Sequence, residues 1–233
     1  KSRYIITDDE SFKPTEVVRF LQKLLQMEGE LVINFAPPMD PFGNRVDTEG
    51  RSRDKRGRII DIARYVTTEG GTVGHRPQRD AVYTRAAGRQ VVQSFRTYTM
   101  ALIPQILAFT VFVLLSRRHP GADLYRLLRL STDGVGLPMT QVADALASVM
   151  ERAKALAEQK ALHIDPDVED QDIASLIAKG LRYFSTYHRG GVLKRRGDRL
   201  FAQDMNLVFY YHNRLVGYGL EKAIDTQSGE SSR

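Results

Sequence analysis

His75 and Asp80 are the two residues in this chain whose types and spacing best suit proton transfer. In this His-x4-Asp arrangement a carboxylate can fix the tautomer of an imidazole, so that the other ring nitrogen removes a proton from a substrate hydroxyl. One such pair also arises easily by chance. Pro77 lies between them at the start of a predicted helix, where Asp80 can instead stabilise the positive end of the helix dipole. We therefore assign no catalytic residue and keep His75 and Asp80 as an alternative.

A run of basic residues between Glu49 and Arg58 suggests a second kind of chemistry. Guanidinium groups next to bends that glycine permits can hold a phosphate through bidentate hydrogen bonds. A charge run of this kind is more often a solvated surface loop. The residues that we predict as candidates for anion binding are Arg51, Arg53, Lys55 and Arg56.

Other chemistries lack their motifs in this sequence. The remaining histidines share no metal-ligand spacing, and there is no cysteine to supply a thiolate ligand or a disulfide. Glycine loops that cradle nucleotide phosphates and the nucleophile elbow of hydrolases do not occur. We therefore predict neither a metal site nor a cofactor.

The composition is that of a folded protein with a basic surface. Hydrophobic residues make up 42% of the 233 residues and charged residues 27%, which excludes disorder as the main state. The formal charge of +6 suits an anionic partner such as phosphate, nucleic acid or an acidic membrane. Residues 1–6 include neither an initiator methionine nor an apolar leader, so we expect a piece of a longer protein.

The N-terminal elements predict the end of an α/β domain. A short strand is predicted at Tyr4–Thr7, a helix from Pro14 to Leu25, and a second strand at Leu31–Phe35, which the following prolines end. A lone strand cannot form a sheet, so its partners are expected on other polypeptide. We recognise no internal repeat. The predicted domains are residues 1–45 (end of an α/β domain), 46–77 (irregular basic loop), 78–225 (helical C-terminal region) and 226–233 (flexible tail).

The C-terminal region is predicted to be helical with one short β-hairpin. The hairpin pairs Val192–Leu193 with Leu200–Phe201 across a polar turn at Gly197–Asp198. The fold class is therefore mostly α, with a small α/β remnant at the N-terminus. Helices are predicted from Gln78 onward, at Leu124–Leu130, from near Pro138 to Leu156, at Ile173–Phe184 and at Met205–Ile224. In the first of these helices the candidate buried residues are Val82, Val91, Val92, Phe95 and Tyr98.

An uncharged stretch of twenty residues between Arg96 and Arg117 is long enough to cross a bilayer. Pro104, Gln105 and Thr110 dilute its apolar character. A helix buried inside the protein has the same composition, and we favour burial over membrane insertion.

A winged helix is an alternative interpretation of residues 124–201. Helices followed by a basic hairpin resemble this fold, whose wing contacts DNA phosphates. The predicted recognition helix, Asp170–Tyr187, begins among acidic residues that would repel DNA, so we expect no nucleic acid partner. A non-catalytic membrane-association domain is a third interpretation. The basic residues of the hairpin are Lys194, Arg195, Arg196 and Arg199.

Several blocks of the sequence, taken in order, resemble bacterial glycerol-3-phosphate acyltransferases downstream of their catalytic motifs. In the first block this chain has Phe35-Ala36-Pro37-Pro38 where the family has Phe-Gly-Glu-Pro, so the acidic residue is lost. Glu49-Gly50-Arg51-Ser52-Arg53 looks like a family motif, but it precedes His75 and Asp80 instead of following them. No catalytic role is therefore transferred. The blocks are Leu31–Asn44, Tyr83–Phe109, Leu124–Arg129, Leu137–Leu156 and Phe209–Leu215.

The resemblance implies an activity and a location. The family transfers a fatty acyl group from acyl-CoA or acyl-carrier protein to glycerol 3-phosphate in phospholipid synthesis. It works at the cytoplasmic face of the inner (plasma) membrane, and we expect this protein to be peripheral or weakly inserted there. We therefore predict the C-terminal portion of such an enzyme, acting on glycerol 3-phosphate or its monoacyl product. We expect it to contact an anionic membrane surface and to lack a complete active site of its own.

Overall fold

The computed structural model describes residues 32–130, 136–169, 171–188 and 191–225. These residues are mostly helical and include a short β-hairpin, which confirms the predicted fold class. The strand predicted at Tyr4–Thr7, the helix predicted from Pro14 and the predicted tail after residue 225 lie outside the described residues.

The described elements follow one another as short strands and longer helices. The helices are α1 (Pro77–Thr97), α2 (Ile103–Arg118), α3 (Leu124–Leu128), α4 (Met139–Glu158), α5 (Pro166–Glu169), α6 (Ile173–Tyr187), α7 (Met205–His212) and α8 (Glu221–Asp225), with 3-10 turns at Ile62–Tyr65 and Asn213–Leu215. The strands are β1 (Arg45–Val46), β2 (Ser52–Arg53), β3 (Met100–Ala101), β4 (Leu137–Pro138), β5 (His163–Ile164), β6 (Leu193–Arg196) and β7 (Arg199–Ala202).

Helix α2 forms the centre of the core. It begins with Pro104 in its first turn and with the side chain of Gln105, which accepts a hydrogen bond of 3.2 Å from the backbone N–H of Leu102. Every residue from Ile106 to Leu115 is buried, and α4, α6 and α7 pack around the helix. Burying one large aliphatic side chain contributes about 1.5–3 kcal/mol. The uncharged stretch is thus buried within the protein, as predicted, and no helix in the described ranges is long and apolar enough to span a membrane.

Gly180 allows α6 to approach α2 closely. A Cβ atom at this position would lie 2.7 Å from the Cδ2 atom of Leu107, so a larger residue would require the buried Leu107 side chain to shift. Phe184, one turn further along α6, is fully buried in the same core. The predicted helices at Leu124–Leu130, Pro138–Leu156 and Ile173–Phe184 are confirmed.

Three short strands form an antiparallel sheet in the order β4-β7-β6. The turn between β6 and β7 at Gly197–Asp198 confirms the predicted hairpin. Strand β4 lies between α2 and α4 in the sequence, and its Leu137 is paired with Leu200 of β7. In a winged helix the first strand likewise pairs with the second strand of the hairpin, but here β5 and α5 lie between the two longer helices α4 and α6 that precede the hairpin.

Helix α1 is where the predicted burial is wrong. It contains no buried residue, and Val82, Val91, Val92 and Phe95 are 52%, 40%, 53% and 71% exposed. Tyr98, just after the helix, is half-buried. The apolar periodicity identified the helix correctly, but no described element buries Val91, Val92 or Phe95.

The two ends of the described chain also differ from the predictions. Residues 32–38 form no strand because no described strand lies beside them. The helix predicted at Met205–Ile224 is interrupted after α7. Gly217 and Gly219 adopt φ angles of +91° and +72°, which end the helical path before α8 begins.

Candidate functional site

Three β-turns follow one another at intervals of seven residues, and the second and third lie in the segment 46–77 that was predicted to be irregular. Each turn has the sequence Asp-x-x-Gly followed by Asn or Arg, as at Asp40–Asn44, Asp47–Arg51 and Asp54–Arg58. In every turn the Oδ1 atom of the aspartate accepts the backbone N–H groups two and four residues later, at 2.8–3.1 Å. The glycines have φ angles between +77° and +84°, which only glycine adopts without strain. We call residues 40–58 the turn repeat; the interpretation of this segment as irregular and without a repeat is wrong.

The turn repeat uses two of the predicted anion-binding residues for its own structure. The Oδ2 atom of Asp47 lies 3.1 Å from Nε of Arg51 and 2.8 Å from Nη2 of Arg53. The backbone N–H of Arg51, together with these guanidinium groups, lowers the pKa of Asp47 to about 2. The other two predicted residues, Lys55 and Arg56, are exposed and form no ion pair with a described residue.

An aromatic cluster attaches the turn repeat to α1. The rings of Phe42 and Tyr65 stack with centroids 4.5 Å apart, and Tyr83 of α1 meets both rings edge-on. Each such pair contributes about 0.5–1.5 kcal/mol beyond its buried area. Gly43 lies so close to α1 that an added Cβ would be 3.0 Å from Cγ of Gln90. The first turn is therefore held rigidly against the helix.

A cleft of about 1100 Å³ lies between the turn repeat and α1. We call it the basic cleft. One part of its lining is apolar or aromatic, and another part is charged. The apolar and aromatic residues are Phe42, Val46, Tyr65, Val82, Tyr83 and Ala86; the charged ones are Arg45, Asp47, Arg53, Asp54, Lys55 and Arg89.

The negative charges of the basic cleft are neutralised within the turn repeat. Asp47 is paired as described above, and Oδ2 of Asp54 lies 2.8 Å from Nη2 of Arg58. The backbone N–H of Arg58 keeps the pKa of Asp54 below its usual value. The remaining cations of the cleft are exposed, and no carboxylate in the described residues lies within ion-pair distance of them. These unneutralised cations are Arg45, Lys55 and Arg89.

His75 and Asp80 do come together, but in a structural arrangement. Nε2 of His75 lies 3.5 Å from Oδ2 of Asp80, and the imidazole is 79% exposed. The same carboxylate accepts a hydrogen bond of 3.0 Å from the backbone N–H of Arg76. Its Oδ1 atom also forms an ion pair with Nη2 of Arg79, at 2.8 Å. Burial alone would raise the pKa of Asp80, but these hydrogen bonds outweigh it and keep the pKa low. Asp80 thus stabilises the start of α1, and the imidazole of His75 is largely exposed to solvent.

His212 is a histidine that the sequence did not single out. Its ring packs against Phe112 and Phe109 of α2, at centroid distances of 4.3 and 5.1 Å. Burial lowers the pKa of this imidazole, which is therefore mostly neutral at pH 7. It borders a pocket of about 410 Å³ between α2 and the segment after α7. In the part of the chain that the structure describes, no group of side chains is arranged to hold a metal ion.

The hairpin of the winged-helix arrangement has a basic surface. Lys194, Arg195, Arg196 and Arg199 are all exposed, as the sequence suggested. Nη1 of Arg199 donates to the carbonyl of Gly136 at 2.8 Å, which ties the hairpin to the start of β4. Asp172 caps the start of α6 by accepting the N–H of Ser175, and Asp167 of the preceding helix α5 lies 3.6 Å from Lys179 of α6. The helix that would enter a DNA groove therefore begins with exposed negative charge.

A scan against protein-family models and searches of curated proteins and of solved structures find no significant match to this chain.

Proposed function

We propose that this chain is the C-terminal portion of an acyltransferase that transfers a fatty acyl group to glycerol 3-phosphate, or to its monoacyl product, in phospholipid synthesis. The acyl donor is acyl-CoA or acyl-carrier protein. The enzyme acts at the cytoplasmic face of the inner membrane, with which this portion associates peripherally. Neither His75 nor Asp80 is given a catalytic role, and the chain lacks a complete active site of its own.

The observation that carries this proposal is that separate blocks of the resemblance meet in one core. The block Tyr83–Phe109 ends in α2, Leu137–Leu156 forms β4 and most of α4, and Phe209–Leu215 completes α7 and the following turn. Helix α2 packs directly on both α4 and α7, and Phe112 contacts Phe209 with ring centroids 5.3 Å apart. Blocks far apart in sequence thus belong to one folded unit, as the proposal requires of segments from one enzyme.

The exposed apolar side chains of α1 support the proposal that a further domain packs on this helix. Val92 and Phe95 lie on this face, and Phe95 is 71% exposed. Large exposed apolar side chains on a helix with no buried residue are typical of a surface that another polypeptide covers. The proposed occupant is the α/β acyltransferase domain that contains the catalytic motifs.

The chain by itself provides a first test. Incubated with acyl-CoA and glycerol 3-phosphate, it should form no lysophosphatidate, because the proposal places the nucleophile-activating base on other polypeptide. His75 is 79% exposed, and His212 is packed against the aromatic rings of Phe109 and Phe112. Robust acylation that disappears in both His75→Ala and Asp80→Asn would contradict the proposal that the active site lies elsewhere.

A nucleic-acid-binding winged helix is a second candidate function. The strand order β4-β7-β6 and the basic hairpin favour it, whereas the acidic start of α6 opposes it. Two binding measurements separate the candidates. Flotation of the chain with anionic liposomes, without any shift of duplex DNA, supports the acyltransferase proposal. A salt-sensitive DNA shift that is lost in Lys194→Ala/Arg195→Ala would support the winged-helix function instead.

A further inference from the structure

We propose that the basic cleft is a binding site for a phosphate monoester that carries an apolar group. The chemistry of binding follows from the cleft itself. Only the biological source of the ligand depends on the proposed function. The two parts of the ligand correspond to the two parts of the lining, which are the unneutralised cations and the apolar and aromatic wall.

The charge of the cleft favours an anionic ligand. Arg45 of β1 is the direct partner of Arg53 in β2, so two guanidinium-bearing residues lie opposite each other in an antiparallel pair. Like charges in this position destabilise a strand pair. Asp47 is paired with Arg53, but Arg45 has no such partner among the described residues. A bound anion would supply the missing charge.

The cations reach the cleft from two separate elements. Arg45 and Lys55 belong to the turn repeat, and Arg89 belongs to α1 on the other side. The hydrogen-bonded turns and the contact between Gly43 and Gln90 fix these two elements relative to each other. A phosphate dianion can accept hydrogen bonds from two guanidinium groups and an ammonium group at once. The backbones that carry these donors are fixed before the ligand binds, and the ligand orders their exposed side chains.

The apolar wall of the cleft favours a phosphate that carries an apolar group. Val82 of α1 is 52% exposed, and Val46 and Ala86 line the same space. Inorganic phosphate would leave this surface in contact with water. A ligand with an alkyl group would cover it, and the burial would add to its affinity. Lipid headgroups and soluble alkyl phosphates share this chemistry.

Calorimetric titration of the purified chain with octyl phosphate tests the site. We expect octyl phosphate to bind at least about tenfold more tightly than inorganic phosphate, and octanol not to bind. The variant Arg45→Gln/Lys55→Gln/Arg89→Gln should weaken octyl phosphate binding by at least about tenfold. The control variant Arg56→Gln/Arg64→Gln/Arg85→Gln removes the same charge from exposed positions outside the cleft and should bind like the original protein.

Vesicles of phosphatidylcholine with and without phosphatidate distinguish the sources of the phosphate. Binding only to vesicles that contain phosphatidate identifies a lipid headgroup, and binding to octyl phosphate without vesicle binding identifies a soluble ester; either result supports the site. Equal weakening in the two triple variants, equal affinity for inorganic and octyl phosphate, or no binding of octyl phosphate would overturn it. Circular dichroism confirms that the variants are folded. These binding experiments contain no acyl donor, so their outcome does not depend on acyl transfer. If the longer enzyme fails to transfer an acyl group, the proposed function is contradicted but this binding site is not.

Discussion

Arg45 and Arg53 lie directly opposite each other on the antiparallel strands β1 and β2, and Asp47 forms an ion pair with Arg53 but not with Arg45. The turn repeat thus contains two kinds of basic residue: those whose side chains pair with its aspartates, and those that are available to a ligand. Arg51, Arg53 and Arg58 support the turns through aspartates of the repeat. The sequence alone does not distinguish the basic residues that support the turns from those that are available to a ligand.

Alanine substitutions at two glycines of the turn repeat should have unequal effects. Gly50→Ala and Gly43→Ala both force an alanine into a left-handed conformation, which costs about 1–2 kcal/mol. Gly43→Ala also brings a Cβ atom to 3.0 Å from Cγ of Gln90 and 3.3 Å from Cα of Ala87, whereas nothing lies near Gly50. Trypsin should therefore cleave residues 40–58 faster in Gly43→Ala than in Gly50→Ala. Equal cleavage rates would show that the first turn does not pack on α1.

The turn around Asp47 should open in acid. Its pKa is lowered to about 2 in the folded protein, whereas an unfolded aspartate has a pKa of about 3.9. Because the folded pKa is the lower one, the stabilisation is fully present above about pH 4 and is lost as the pH falls towards about 2. An NMR titration of the Arg51 amide measures this midpoint. The amide of Gly71, in a turn that begins at Thr68 instead of an aspartate, serves as the control and should not follow the same transition.

Two phenylalanine substitutions test where the core lies. Phe184 is fully buried and Phe95 is 71% exposed. Phe184→Ala should lower the free energy of unfolding by about 3–5 kcal/mol, because it removes a large side chain and leaves a cavity. Phe95→Ala should change it by less than about 0.5 kcal/mol in this chain. Urea denaturation followed by circular dichroism gives both values, and a large loss in Phe95→Ala would mean that α1 packs on this chain's own core.

His212 should make the protein less stable in mild acid. Burial lowers the pKa of its imidazole below the usual value of about 6.5, so the unfolded chain binds the proton more tightly than the folded one. The free energy of unfolding should therefore fall as the pH drops from about 7 through the unfolded pKa, until the folded imidazole is also protonated. Melting temperatures between about pH 7 and 5 measure this slope. His212→Gln should flatten it, and an unchanged slope in that variant would assign the effect to another group.

Much of the helical core was predictable because apolar periodicity and capping residues act locally. The uncharged stretch, the helix after Pro138 and the polar turn at Gly197–Asp198 all led to correct elements. The turn repeat was also visible in principle, since Asp-x-x-Gly recurs every seven residues from Asp40 to Gly57. It was missed because the run of basic residues in the same segment dominates its composition.

The site could not be predicted to the same extent, because its members come from distant segments. Lys55 was among the predicted anion-binding residues, but Arg45 and Arg89 were not. Arg89 reaches the cleft only because the first turn packs on α1 through Gly43. Similarly, the periodicity of α1 showed that it has an apolar face but not whether any element of this chain covers Phe95.

Acyl transfer by the longer protein that we propose to contain these residues is the most direct test of the central claim. Membranes containing that protein are supplied with radiolabelled acyl-CoA or acyl-carrier protein and with glycerol 3-phosphate or lysophosphatidate. The account predicts a labelled lysophosphatidate or phosphatidate, and loss of that product in a Phe184→Ala variant whose C-terminal core is disrupted. Absence of any labelled phospholipid with every donor and acceptor, in a protein shown to be folded, would contradict the account.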